Sequence, residues 1–270
     1  MSDLRRATER IEREEFDRGN IGRGEVAAEP RPAATIVMAW ATPAEPYRVL
    51  LLRRPDSARF AAGAHVFAGG AIDAADASPE AIELLPDALR EPEPAAAVAA
   101  LREMFEETGF LPTDDPVDAT AAREARKRLL AGESDFAAAA GRLGATFRNL
   151  KATYLSRWIT PTRFARRYDT HFFLTVLEAT DPPTPELTNE LSGYLWITPE
   201  EAVSRFAAGD LPMLFPTRKT LQMLERHAEL DRLLEEARDR VPVPIQPRLL
   251  IRGDSIRPVL PGDPGYEEAD

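Results

Sequence analysis

The amino-acid sequence predicts an α+β fold in which strands and helices form separate layers. Three observations carry this expectation. Apolar runs of strand length recur at 33–40, 47–54, 152–160, 170–179 and 192–197. Helical spacing is clearest at 95–108, where AAAVAALREMFEET closes on Gly109, a residue suited to a left-handed C-cap. Strand-like and helix-like segments do not alternate regularly, which disfavours a doubly wound parallel sheet.

Residues 1–30 mix acidic and basic side chains before Pro30 and Pro32, and read as an exposed helical arm that leaves room for a homodimer. AATIVMAW and YRVLLLRR follow as strands, separated by a turn-forming Thr-Pro-Ala-Glu-Pro stretch. The short run HVF (65–67) leads into Gly69-Gly70, and 73–94 is an irregular connection with at most a short helical turn. Segment 113–150 is an additional helical region, rich in Ala, Arg, Glu and Leu. Strands resume with ATYLSRWIT, THFFLTVLEA and SGYLWI. A helix then opens at Thr198-Pro199-Glu200-Glu201, with threonine as N-cap and proline at N1. One long helix is expected from about Thr217 to Arg240. The expected organisation is an arm at 1–30, one domain at 31–240 with insertions at about 73–94 and 113–150, and a tail at 241–270 with one or two short strands.

Composition narrows the function. The chain of 270 residues carries a net charge of −11, which argues against a nucleic-acid-coating or anionic-membrane surface. It contains no cysteine, so disulfides, thiolate nucleophiles and cysteine-ligated metals are excluded. No apolar stretch approaches the ~18–20 residues that span a bilayer. The charged N-terminus lacks the apolar centre of a secretory signal. A cytoplasmic location is the default expectation.

The segment with most chemical content is the helix at 95–108. On a helical wheel Val98, Leu101, Met104 and Phe105 form an apolar side, while Glu103, Glu106 and Glu107 lie opposite at i, i+3 and i+4. Clustered carboxylates repel by ~0.2–0.5 kcal/mol per close pair. Near a helix C-terminus they also oppose the macrodipole, which favours cations there. A divalent cation would relieve both penalties, since Mg²⁺ and Mn²⁺ prefer oxygen ligands. A solvated acidic face is the plain alternative in so acidic a chain.

The string Arg102-Glu103-Met104-Phe105-Glu106-Glu107-Thr108-Gly109-Phe110 fits R-E-U-x-E-E-x-G-U, with U bulky and apolar. It resembles the second half of the signature of the Nudix hydrolase superfamily. In the first half, G-x5-E-x7-R, the glycine stands 14 positions before the arginine, where this chain has Ala88. Gly70 lies 32 positions before Arg102, a difference of 18 residues, and brings Asp76 to the place of the family's glutamate. Gly69 and Gly70 fit a turn where backbone must approach metal or pyrophosphate closely. An interrupted signature is similar to the branch that includes the peroxisomal coenzyme A diphosphatase. That group's upstream pattern is matched by Leu50, Leu51, Arg54, Arg59, Gly63, Phe67, Gly69 and Gly70, with departures at Leu52, Pro55 and Ala68.

The resemblance implies a Nudix-type α/β/α sandwich with a mixed central sheet and additional helices, and Mg²⁺- or Mn²⁺-assisted hydrolysis of a nucleoside diphosphate linked to another moiety. Coenzyme A or an acyl-coenzyme A is one such substrate. Nucleotide sugars or dinucleotides, or a catalytically silent ligand-binding module, are alternatives. On this reading Glu103, Glu106, Glu107 and Gly70 form the metal site, and Glu103 is also a candidate general base. Arg102 orients the carboxylates. A further carboxylate is expected from the loop before the last core strand, where Glu190 is favoured over Glu186. Arg54, Arg59, His65 and Gly69 are candidate substrate contacts, the arginines for phosphate. His171 and His227 are expected to be structural.

Overall fold

The structure is a computed structural model that describes residues 28–42, 45–58, 61–238, 240–252 and 255–269. The expected arm at 1–30 lies outside the described residues except for its last three positions. The framework is a mixed sheet in the order β3-β2-β1-β6-β5-β8, where β4 also pairs with β1 and β7 with β2. Its strands are β1 (Arg31–Thr42), β2 (Glu45–Arg53), β3 (His65–Val66), β4 (Ala68–Ala71), β5 (Ala152–Ile159), β6 (Tyr168–Leu177), β7 (Gly193–Ile197) and β8 (Pro244–Ile245). The longest pairing is parallel, β1 along β6 from Arg31↔Tyr168 to Trp40↔Leu177. The other edge of β1 is shared antiparallel between β2, near its C-terminal end, and β4, near its N-terminal end.

Alternation along the strands sends side chains to two separate apolar layers. Ile36, Met38, Leu50, Leu52 and Phe173 pack on one face, whereas Val37, Ala39, Val49, Leu51, Phe172 and Leu174 pack on the other. In β5 a bulge between Tyr154 and Ser156 shifts the register. Tyr154 therefore joins the first layer and Trp158 the second, although equal spacing in a regular strand would place them together.

The first layer is covered by α1 (Pro79–Glu83), α2 (Pro94–Thr108), α3 (Ala119–Leu130) and α4 (Phe136–Leu143); α5 (Pro199–Ala207), α6 (Phe215–Leu224) and α7 (Leu230–Arg238) cover the second. The architecture is the α+β sandwich with a mixed sheet that the sequence implies. Segment 73–94 is more ordered than an irregular connection: 3-10 turns at Ala74–Ala77 and Asp87–Leu89 flank α1, and Ala81, Leu85 and Leu89 are buried. Segment 113–150 forms α3 and α4, whose N-caps Asp118 and Asp135 accept backbone N–H groups at 2.8 and 2.7 Å.

The single helix expected over 217–240 is corrected to two. After Leu224 the backbone tightens, with Arg226 N–H on the Met223 carbonyl and His227 N–H on that of Leu224, and the chain turns before Leu230. The turn lets Leu224, Leu230, Leu233 and Leu234 all reach the same core. The tail contains β8 and a hairpin of β9 (Arg248–Arg252) with β10 (Ser255–Val259). Among the described residues no helix is long and apolar enough to cross a membrane.

Candidate active site

Helix α2 begins at Pro94 and ends where Gly109, at φ 75°, donates its N–H to the Phe105 carbonyl. Ala96 to Arg102, Met104, Phe105 and Thr108 are all buried. Glu103, Glu106 and Glu107 look into a cleft rather than open solvent, the side chains of the first two being 12% and 18% exposed.

Arg102 is the hub of this face. Its Nε and Nη2 donate to the two oxygens of Asp76, each at 3.0 Å. Nη1 donates to Glu103 Oε1 at 2.8 Å and Glu106 Oε2 at 2.9 Å, and Nη2 also reaches the Ala71 carbonyl at 2.7 Å. Burial opposes the guanidinium charge, but the Asp76 hydrogen bonds and the surrounding carboxylates outweigh it and raise the pKa above its usual range. The carboxylates respond to burial in the opposite sense. Burial pushes Glu103 up to about 7, against the pull of Arg102. Burial pushes Glu107 up to about 8, assisted by the charges of Glu103, Glu190 and Glu106 and opposed by a hydrogen bond from the Gly69 backbone. Glu106 is raised as well, by burial against Arg102.

Gly69 and Gly70 lie in β4 and not in the turn expected for them. Their requirement is space. A Cβ on Gly69 would sit 2.5 Å from the Ala34 carbonyl oxygen and 2.9 Å from Thr35 Cα, because β4 is paired to β1 there. A Cβ on Gly70 would fall on the Glu103 carboxylate. The strand thus approaches α2 at the one place where the acidic side chain needs room.

Glu103, Glu106 and Glu107 form one wall of a cleft of about 530 Å³, closed by Arg126, Leu129 and Leu130 of α3 and by Leu187, Thr188, Asn189 and Glu190 of the loop before β7. That loop is tied down at two points ahead of its cleft-lining residues. Trp196 Nε1 donates to the Pro183 carbonyl at 2.8 Å, and Glu186 N–H donates to the Thr108 carbonyl at 2.8 Å. Glu190 lines the cleft, whereas Glu186 pairs with Arg123 at 2.7 Å.

The other expected contacts are placed elsewhere or not described. Arg59 lies outside the described residues. Arg54 and His65 are not among the residues lining the cleft. His65 Nδ1 lies 3.3 Å from the Pro212 carbonyl, and its pKa falls to about 4, chiefly through burial. His171 is buried with Nδ1 2.7 Å from the Tyr154 hydroxyl, a structural placement.

Arg126, which the sequence reading passed over, lines the cleft and is only 9% exposed. Its Nε and Nη2 donate to the Glu106 carbonyl at 3.1 and 2.7 Å, and Nη2 also reaches the Glu186 carbonyl at 2.5 Å. The available signal was the helical spacing of Ala125, Arg126 and Leu129, the buried side of an otherwise exposed helix.

The donor set suits a hard divalent cation. Glu107 Oε2 is buried and has no hydrogen-bond partner, an unfavourable state for a carboxylate oxygen unless a cation meets it. Among the described residues no group of three or more acidic or histidine side chains already converges as a coordination shell, and Glu103 and Glu106 each give one oxygen to Arg102. Mg²⁺ commonly retains several waters and takes only one or two protein carboxylates, so this arrangement fits it.

Comparison with known proteins agrees with the geometry. A family model described as the NUDT19 Nudix domain matches residues 91–223. Acyl-coenzyme A diphosphatase NUDT19 of Gallus gallus is 28% identical, covering 88% of this chain and 80% of that protein. Putative nudix hydrolase 7 of Caenorhabditis elegans is 32% identical, covering 90% of this chain and 77% of that protein. The crystal structure of a NUDIX hydrolase from Alicyclobacillus acidocaldarius superimposes with a TM-score of 0.66 at 29% identity, covering 77% of this chain and 96% of that one. With the Arg102–Phe110 signature on a buried helix and its carboxylates facing one cleft, the chain belongs to the Nudix hydrolases, enzymes that depend on a divalent cation, on the branch typified by the NUDT19 Nudix domain.

Proposed function

We propose that this hydrolase cleaves the diphosphate of coenzyme A or an acyl-coenzyme A with Mg²⁺ or Mn²⁺. The observation that carries the site reading is the buried, unpartnered Glu107 oxygen beside Glu103, Glu106 and Glu190. The substrate class is supported by the chicken relative named as an acyl-coenzyme A diphosphatase, and by the Leu50–Gly70 pattern.

When bound, the cation offsets the charge of the diphosphate and acidifies the attacking water. Glu106 and Glu107 would hold it, with Glu190 and Glu103 beside them in the same cleft. Glu103, held by Arg102 Nη1 at 2.8 Å and lining the same cleft, takes the proton from that water. Arg102 keeps Glu103 and Glu106 aimed along one side of the helix. The water oxygen bonds to one phosphorus while the bridging P–O bond breaks and the bridging oxygen leaves on the other phosphate. The products are 3′,5′-ADP and the phosphorylated pantetheine or acyl-pantetheine arm.

The test is a Mg²⁺- or Mn²⁺-supplemented screen of coenzyme A, acyl-coenzyme A, ADP-ribose, NADH, nucleotide sugars and diadenosine polyphosphates. Release of 3′,5′-ADP from coenzyme A or its thioesters is the expected result. Preferential turnover of another diphosphate overturns the substrate. Turnover of none, with metal affinity unchanged in Glu106→Gln, overturns the assignment of the site.

A further inference from the structure

The last turn of α2 concentrates carboxylates where the helix dipole favours cations. It also leaves carbonyls that no later helical N–H can reach. Phe110 N–H, which a continued helix would direct to the Glu106 carbonyl, instead donates to Thr108 Oγ1 at 3.1 Å. The Glu106 carbonyl is taken by the guanidinium of Arg126, arriving from α3 outside the signature. The Thr108 carbonyl is taken by the Glu186 N–H, and the Glu186 carbonyl returns to the same guanidinium. Helix end, arginine and loop therefore form a closed circuit, packed so closely that a Cβ on Gly109 would lie 3.4 Å from Glu186 Cβ and 3.5 Å from Arg126 Nη1.

Four residues beyond Glu186 is Glu190, which lines the same cleft as Glu107 and is close enough for its charge to be felt there. We infer that Arg126 is a positioning residue: it caps the acidic helix and pins the 186–190 loop to it, so that Glu190 faces Glu107 across the cation site. The inference rests on the reading of Glu190 as part of that site. A guanidinium suits the task because its planar fork serves two main-chain carbonyls at once, whereas a lysine ammonium serves as a single point charge.

The test is a double-mutant cycle of Arg126→Gln and Glu190→Gln in the full chain. It is read by Mn²⁺ affinity from electron paramagnetic resonance, by amide exchange at Glu186, and by kcat and KM on the diphosphate the screen identifies. Arg126→Gln is expected to speed Glu186 exchange, weaken Mn²⁺ binding roughly tenfold and lower kcat by a similar factor with KM little changed. In the Glu190→Gln background, Arg126→Gln is expected to add no further loss of Mn²⁺ affinity or kcat. Additive losses overturn the inference, as does unchanged Glu186 exchange or a Glu190→Gln variant with wild-type Mn²⁺ affinity. If thermal melting shows Arg126→Gln unfolded, Arg126→Lys carries the same cycle. A wild-type chain that turns over no diphosphate, yet shows the coupling in Mn²⁺ affinity, sinks the hydrolase reading and leaves the clamp standing.

Discussion

Arg102 and Asp76 meet in a two-pronged ion pair, with Nε and Nη2 each 3.0 Å from a different carboxylate oxygen, although 26 residues separate them. Asp76 is 2% exposed and sits on the 3-10 turn at Ala74–Ala77, at the start of the segment that separates the glycines from the helix. Its Oδ2 also accepts the Asp73 N–H at 2.8 Å. The segment between the glycines and the helix therefore brings an acid back to that helix.

Removing that acid leaves a buried guanidinium short of its best partner. Asp76→Ala is expected to destabilise the fold by about 2–4 kcal/mol, less than the loss of a sole partner because Glu103 and Glu106 remain. Denaturant unfolding reads this directly, and a midpoint equal to that of wild type would show the pair to be energetically silent.

The two glycines are expected to fail differently. Gly70→Ala displaces the Glu103 carboxylate, so divalent-cation binding and turnover should suffer more than stability. Gly69→Ala collides with the backbone of β1, which cannot move aside without breaking strand pairing, so the cost of about 1–3 kcal/mol falls on folding. Melting curves and Mn²⁺ titrations on both variants separate the outcomes. Equal effects in both assays would contradict the distinction.

Glu107→Gln removes a charge that is buried and half unsatisfied. Without metal at pH 8, the variant is expected to be more stable than wild type, since the neutral amide escapes the repulsion of Glu103, Glu106 and Glu190. Turnover is expected to fall about 100-fold or more, because the proposed oxygen ligand is lost. A variant both less stable and fully active would reverse the assignment.

The raised carboxyl groups also fix the sign of a pH dependence. A carboxyl whose folded pKa exceeds its unfolded one favours the native state while protonated, so its stabilising contribution is complete below the unfolded value. With Glu103 at about 7 and Glu107 at about 8, that contribution is lost from roughly pH 4.5 to 8. Metal-free protein should therefore melt at lower temperature as this pair ionises. Mg²⁺ or Mn²⁺ competes with those protons and should raise the melting temperature more at pH 8 than at pH 6. The comparison is read by differential scanning in chelator and in metal. A metal effect that shrinks as pH rises would exclude these carboxylates as ligands.

The strands and the acidic helix were legible because their signals are local. Apolar runs of strand length suffice to place β1, β2 and β6, and a 3.6-residue period with Gly109 at its end suffices to bound α2. The expected long helix over 217–240 was not as reliable, since leucine spacing survives a tight turn when both halves face one core. Gly69 and Gly70 were legible as residues with little room around them, but not as strand residues, because the neighbours that exclude a Cβ, Ala34 and Thr35 for Gly69 and Glu103 for Gly70, lie on other elements.

By itself the sequence determined which side chains share one side of α2, since three glutamates at i, i+3 and i+4 must do so on any α-helix. It also carried the Arg102–Phe110 signature and the displaced glycines. The tertiary structure alone decided what those carboxylates face: a cleft walled by α3 and the loop of Glu190, with Arg102 held by Asp76 and the helix end held by Arg126. The reason is physical. Intrahelical geometry is set by neighbours within a turn. The partners of a buried guanidinium or an open carbonyl are instead set by whichever distant segment can satisfy them at low cost, and no periodicity in the sequence records that choice.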